Sequence, residues 1–108
     1  MIKPIDDTVL IQVKKIDEKT ASGIVIPEAL VERKQMEEIT GTVVAVGDLA
    51  FYDLIANGKS YPIVGDKVFF KRHSGILHYD EKDKTKVYRI INDQDIYATE
   101  VEEKIDNG

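Results

Sequence analysis

Two histidines, His73 and His78, and a few adjacent carboxylates are the residues of this chain best suited to chemistry. The histidines stand five apart. On one extended strand an odd spacing sends them to opposite faces, so a shared metal ion would need a bend between them, which Gly75 permits but does not demand. Asp6-Asp7 and Glu37-Glu38 supply carboxylates, but neighbours in sequence do not face each other across a cleft as an acid–base pair must. The 108 residues contain no cysteine, which removes disulfides and thiolate metal sites. No glycine-rich phosphate loop, nucleophile elbow or metal triplet is present. The chain is expected to be no enzyme and to use no metal and no cofactor.

Charge narrows the partners. Asp and Glu number 20 against 15 Lys and Arg, a formal net charge of −5. A nucleic-acid binder carries a basic face, and the short cluster Lys71-Arg72-His73 reads as a solvated turn. Phe51, Tyr52, Tyr61, Phe69 and Phe70 could stack bases, but aromatics alternating with aliphatics in an acidic chain read as core or subunit interface. No apolar run reaches the length of a membrane span, and Met1-Ile2-Lys3-Pro4 begins no signal peptide, so no membrane partner is expected and the protein should stay in the cytoplasm where it is made.

The elements that would position these residues are short strands in a single domain spanning residues 1–108. Val9, Ile11 and Val13 alternate with polar or outward positions. Thr42 to Val46 is β-branched and bracketed by Gly41 and Gly47, and Lys67 to Lys71 follows the turn Val64-Gly65-Asp66. Val87 to Ile91 and Asp95 to Thr99 flank a polar break. Five such strands in so small a chain predict an all-β barrel or sandwich. Asn57-Gly58 predicts a type I′ hairpin turn. Asp80 to Lys86 alternates charge sign and reads as a solvated loop.

Residues 17–40 break this pattern. Ile24-Val25-Ile26 is an apolar run between Gly23 and Pro27, too short for a good central strand. Glu28 to Ile39 has helix-forming composition with Pro27 placed to start it, but Ile26 is a poor N-cap, Glu37-Glu38 oppose the dipole, and the apolar positions form no clean stripe. The segment reads as a long mobile loop with nascent helix, and one carrying exposed Ile-Val-Ile reads as functional. The competing reading makes the tripeptide a buried strand.

In these terms the chain resembles the ten-kilodalton co-chaperonin family, the GroES-type chaperonin lids, over nearly its full length. Ile2-Lys3-Pro4-Ile5-Asp6-Asp7-Thr8-Val9-Leu10-Ile11 is similar to the family's opening strand, and Lys19 to Pro27 to its mobile loop with the Gly-Ile-Val-hydrophobe signature. Gly41-Thr42-Val43-Val44-Ala45-Val46-Gly47, Val64-Gly65-Asp66-Lys67-Val68-Phe69-Phe70 and Asp95-Ile96-Tyr97-Ala98 resemble three further blocks in the family's order. Thr8, Ser22 and His73 depart from its usual residues, and the span from Ile26 to Gly41 is longer, as would suit a divergent or virus-encoded member acting in a host cytoplasm.

The resemblance implies a Greek-key barrel with a mobile loop at about 17–40, a roof hairpin region at about 48–63 and a flexible tail at about 102–108. It implies a homo-heptamer that caps a chaperonin in the presence of adenine nucleotide and encloses unfolded substrate protein. Gly23, Ile24, Val25, Ile26 and Pro27 would bind the chaperonin apical domains. Ala56, Asn57, Gly58 and Lys59 would form the roof hairpin. Ile2, Lys3, Pro4 and Ile5 would meet Ile96, Tyr97, Ala98 and Thr99 of a neighbouring subunit. The alternatives are a small barrel that assembles without a chaperonin partner and a nucleic-acid-binding barrel.

Overall fold

The computed structural model describes residues 2–101. It contains six strands, β1 (Thr8–Val13), β2 (Thr40–Val46), β3 (Lys67–Phe70), β4 (Ile76–Tyr79), β5 (Val87–Asn92) and β6 (Ile96–Thr99), with helices α1 (Glu28–Glu37) and α2 (Tyr52–Ala56). The strands form one antiparallel sheet in the order β4-β5-β1-β2-β3-β6. This is the all-β fold expected from the alternating pattern. The tail expected at 102–108 lies outside the described residues.

Period-2 alternation decides which side chains meet. Val9, Ile11 and Val13 of β1 point inward with Val43, Val68, Phe70, Val87 and Ile91, and Leu77, Tyr79 and Ile96 pack against them. All six strands therefore contribute to one core. Arg89 of β5 lies over the ring of Phe70 of β3, 5.1 Å from its centroid. Two strands intervene between them, so a flat sheet would hold them about 14 Å apart. The sheet is curled around its own interior.

Four local features differ from the sequence reading. Residues 28–37 form a complete helix rather than a mobile loop with nascent helix, because Val31 and Gln35 are buried. The run Ile76–Tyr79, not among the five strands expected from the sequence, is a strand because it pairs along β5 from Ile76↔Ile90 to Tyr79↔Val87. Residues 2–5 are not a strand within the protomer, although Pro4 is buried.

The fourth difference is a correction at Ala56, Asn57, Gly58 and Lys59, which form no type I′ hairpin. Asn57 has φ −96° where that turn needs a positive value. Lys59 N–H donates to Leu54 O at 2.8 Å and Gly58 N–H to Ile55 O at 3.1 Å, the Schellman pattern that ends a helix. Asn-Gly serves either motif. Helix α2, anchored by buried Phe51 at its N-cap and by Leu54 packed against the core, selects the cap.

Candidate functional site

The segment after β1 leaves the barrel and returns as a small hairpin. Ile26 N–H donates to Glu18 O at 2.7 Å, Thr20 N–H to Ile24 O at 2.9 Å, and Gly23 N–H to Thr20 O at 2.9 Å. Lys19 and Val25 bridge as an antiparallel pair. The Thr20 hydroxyl accepts from Ile24 N–H and lies 3.0 Å from the Ser22 hydroxyl, so polar side chains tie the turn. Ser22, a departure from the family pattern, therefore has a local partner.

Hydrogen bonding along this hairpin is local, and its apolar side chains face outward. Ile24 is 65% and Val25 67% exposed, while Ile26 is partly covered. The tripeptide is thus not a buried core strand. The three residues are aliphatic and adjacent on the returning arm of the hairpin, with Ile24 and Val25 exposed, which suits them to enter an apolar groove on another molecule. Gly23 takes φ +85° at the turn and Pro27 stands at the N-cap of α1, so both bracket the exposed run as expected.

Beneath the hairpin a cleft is lined by Val25, Ile26, Pro27, Val31, Tyr79 and Lys84. Burial pushes the Tyr79 phenol up, and the charges of Glu32, Glu18 and Glu28 add to the shift. The base of the projection is accordingly acidic around an apolar floor.

Two residues missed in the sequence reading hold this base. Gln35 is fully buried; its Nε2 donates to Lys14 O at 2.6 Å and its Oε1 accepts from Ile16 N–H at 2.9 Å. Arg89 is also fully buried and donates to Ser74 O, Met36 O and Glu38 O. The alternation Val87, Arg89, Ile91 is the signal that could have flagged an inward arginine.

The other expected sites lie elsewhere. Ala56 to Lys59 end α2, with Tyr52 and Ile55 exposed beside them. Ile96 to Thr99 form β6, an edge strand bonded, among the described residues, to β3 alone, and Tyr97 is 68% exposed. Ile5 is 73% exposed, and Lys3 is also exposed. His73 sits in the turn before β4 with φ +63° and donates its N–H to Met36 O, whereas His78 stacks on Tyr88. No group of three potential metal ligands occurs among the described residues.

Residues 1–100 match the family described as "Chaperonin 10 Kd subunit". The chain is 38% identical over 99 residues to "Co-chaperonin GroES" of Parageobacillus thermoglucosidasius, covering 91% of this chain and 97% of that one. It is 39% identical over 102 residues to the protein of the same name from Listeria monocytogenes, again covering 91% and 97%. The Geobacillus stearothermophilus protein, also named "Co-chaperonin GroES", gives 38% over 99 residues with the same coverage.

Proposed function

Because the chain belongs to the ten-kilodalton chaperonin subunit family, we propose that it works as a co-chaperonin whose Gly23-to-Pro27 hairpin is the chaperonin contact. The observation that carries this reading is the exposure of Ile24 and Val25 on the returning arm of a hairpin whose hydrogen bonds, among the described residues, are local.

The energetics suit a reversible lid. Burying Ile24, Val25 and Ile26 in an apolar groove contributes about 1.5–3 kcal/mol per side chain. Fixing backbone costs about 1–2 kcal/mol per residue. One docking segment therefore binds weakly. Seven of them on one ring, the number expected for the family, act at high effective concentration and make the total adequate. Weak single contacts also allow release when the chaperonin changes nucleotide state, whereas a tight contact would stop the cycle.

In this reading the ring is closed by pairing between residues 2–5 of one subunit and β6 of the next, with α2 and its cap at the roof. Substrate protein is enclosed by the chamber, and adenine nucleotide acts on the chaperonin. The test is ATP-dependent co-elution of the chain with a bacterial chaperonin. Failure to co-elute with and without nucleotide, from a ring shown to be intact, would sink the proposal.

A further inference from the structure

Helix α1 has little reason to exist by itself. It is ten residues long, its N-cap Pro27 offers no side-chain bond, and Glu37 and Glu38 stand at the end where negative charge is unfavourable. Its buried residues are Val31 and Gln35. What holds it comes from the barrel.

Two clamps grip the helix and the chain that follows it. At one, the Gln35 amide pairs with Lys14 O and Ile16 N–H just beyond β1, replacing bonds that another strand residue would have made. At the other, Arg89 Nη1 donates to Glu38 O at 3.1 Å and Met36 O at 3.4 Å. Its Nε and Nη2 donate to Ser74 O at 3.1 and 2.6 Å. Among the described residues no carboxylate forms an ion pair with Arg89. Its charge instead faces carbonyls at the C-terminal end of α1, where the helix dipole is negative. His73 N–H to Met36 O and Phe70 N–H to Ile39 O fasten the same stretch to the barrel.

We propose that Gln35 and Arg89 are positioning residues for chaperonin capture: they fix α1 as a rigid base and confine the freely moving part of the docking segment to residues 17–27. The proposal rests on the reading of Ile24-Val25 as the docking contact. A segment of 24 residues, 17–40, would have to surrender more conformational freedom on docking than one of 11 and would hold its apolar tip at lower effective concentration. The clamps remove that loss in advance, which lowers the rate at which a docked subunit lets go.

The test is amide hydrogen exchange on the intact ring, together with its dissociation rate from a bacterial chaperonin in ADP. In the unaltered protein, amides of residues 31–38 should exchange far more slowly than those of 19–26. Arg89→Met and Gln35→Leu should each speed exchange in 31–38 by roughly tenfold or more, as expected for loss of a buried hydrogen-bonded group. Exchange in β1 and β5 should stay within a factor of about two, and dissociation should quicken.

Three results would overturn the proposal. One is residues 31–38 exchanging as fast as 19–26 in the unaltered protein. Another is faster exchange spread equally over β1 and β5, which would make both residues ordinary core. The third is a loosened helix with unchanged dissociation. Should Arg89→Met fail to fold, Gln35→Leu and the unaltered protein still decide. Val25→Asp separates the underlying reading: retained chaperonin binding there would remove the docking contact, whereas the exchange pattern needs no chaperonin.

Discussion

Val25 is exposed on the returning arm of the hairpin and contributes to no core cluster, so its substitution separates binding from folding. Val25→Asp should change the free energy of unfolding by no more than about 0.5 kcal/mol. Placed in an apolar groove, the carboxylate loses its hydration without gaining a partner, at a cost of several kcal/mol per site, and capping should be abolished. Thermal melting alongside chaperonin co-elution reads both outcomes. A ring that unfolds would return the tripeptide to the core.

Asp80 and Asp83 show a different residue-level effect. Backbone N–H donation from Asp83 and Lys82 holds the Asp80 carboxyl below its ordinary value, and the hydroxyl and N–H of Thr85 do the same for Asp83. A lowered folded-state pKa means that the stabilisation is complete above the ordinary aspartate value and is lost as pH falls through the folded value. The amide resonances of Lys82, Asp83 and Thr85 should therefore be steady at pH 5–7 and move together in more acid solution (about pH 4 and below). Asp80→Ala should remove the response of Lys82 and Asp83, and an unchanged titration would refute the assignment.

Among the elements, the β4–β5 hairpin has the most exacting backbone. Gly75 takes φ +68° immediately before β4, and a Cβ there would meet the carbonyl of Ile90. Gly75→Ala should destabilise the protein by about 1–3 kcal/mol or more, combining left-handed strain with that collision. Denaturant melting measures it. Gly58 also lies at positive φ, +66°, but a Cβ would meet nothing within 4 Å. Gly58→Val should cost about 1–3 kcal/mol, from left-handed strain at the cap without a collision, and leave chaperonin docking intact. Loss of docking with the ring preserved would mean that the contact lies on α2 rather than on the hairpin.

For the whole molecule, the open edge of β6 is the feature that asks for a partner. An edge with no partner among the described residues, beside exposed Tyr97, templates association, and the segment 2–5 with exposed Ile5 lies outside the sheet. Native mass spectrometry at micromolar concentration should show a ring of about 85 kDa, seven times the 12.2 kDa chain. A stable monomer or closed dimer would refute the ring and leave the barrel standing. Glu100 N–H donates to Lys67 O, so Ala98 bonds Phe69 and the Thr99 N–H faces away from β3. Thr99→Pro should therefore weaken the ring, while protection of β3 persists, because Val68 and Phe70 are held by the core.

The sequence by itself determined the strands that alternate. β1, β3 and β5 were legible because inward Val9, Ile11, Val13, Val68, Phe70, Val87 and Ile91 recur with period two, a pattern written within a few neighbouring residues. β2 was legible as a β-branched run bracketed by Gly41 and Gly47, and β6 as a short run after a polar break. It also determined the isolated Ile24-Val25-Ile26 between Gly23 and Pro27, and the ordered blocks that identify the family. Tertiary structure decided the rest. Helix α1 depends on Gln35 reaching Lys14, 21 residues away, and on Arg89 reaching carbonyls 51 and 53 residues away. β4 depends on β5 for its pairing, and Asn57-Gly58 became a helix cap because Phe51 and Leu54 seat α2 on the core. Local propensity is set by neighbours in the chain, whereas a buried amide or guanidinium acts only once folding brings distant backbone to it.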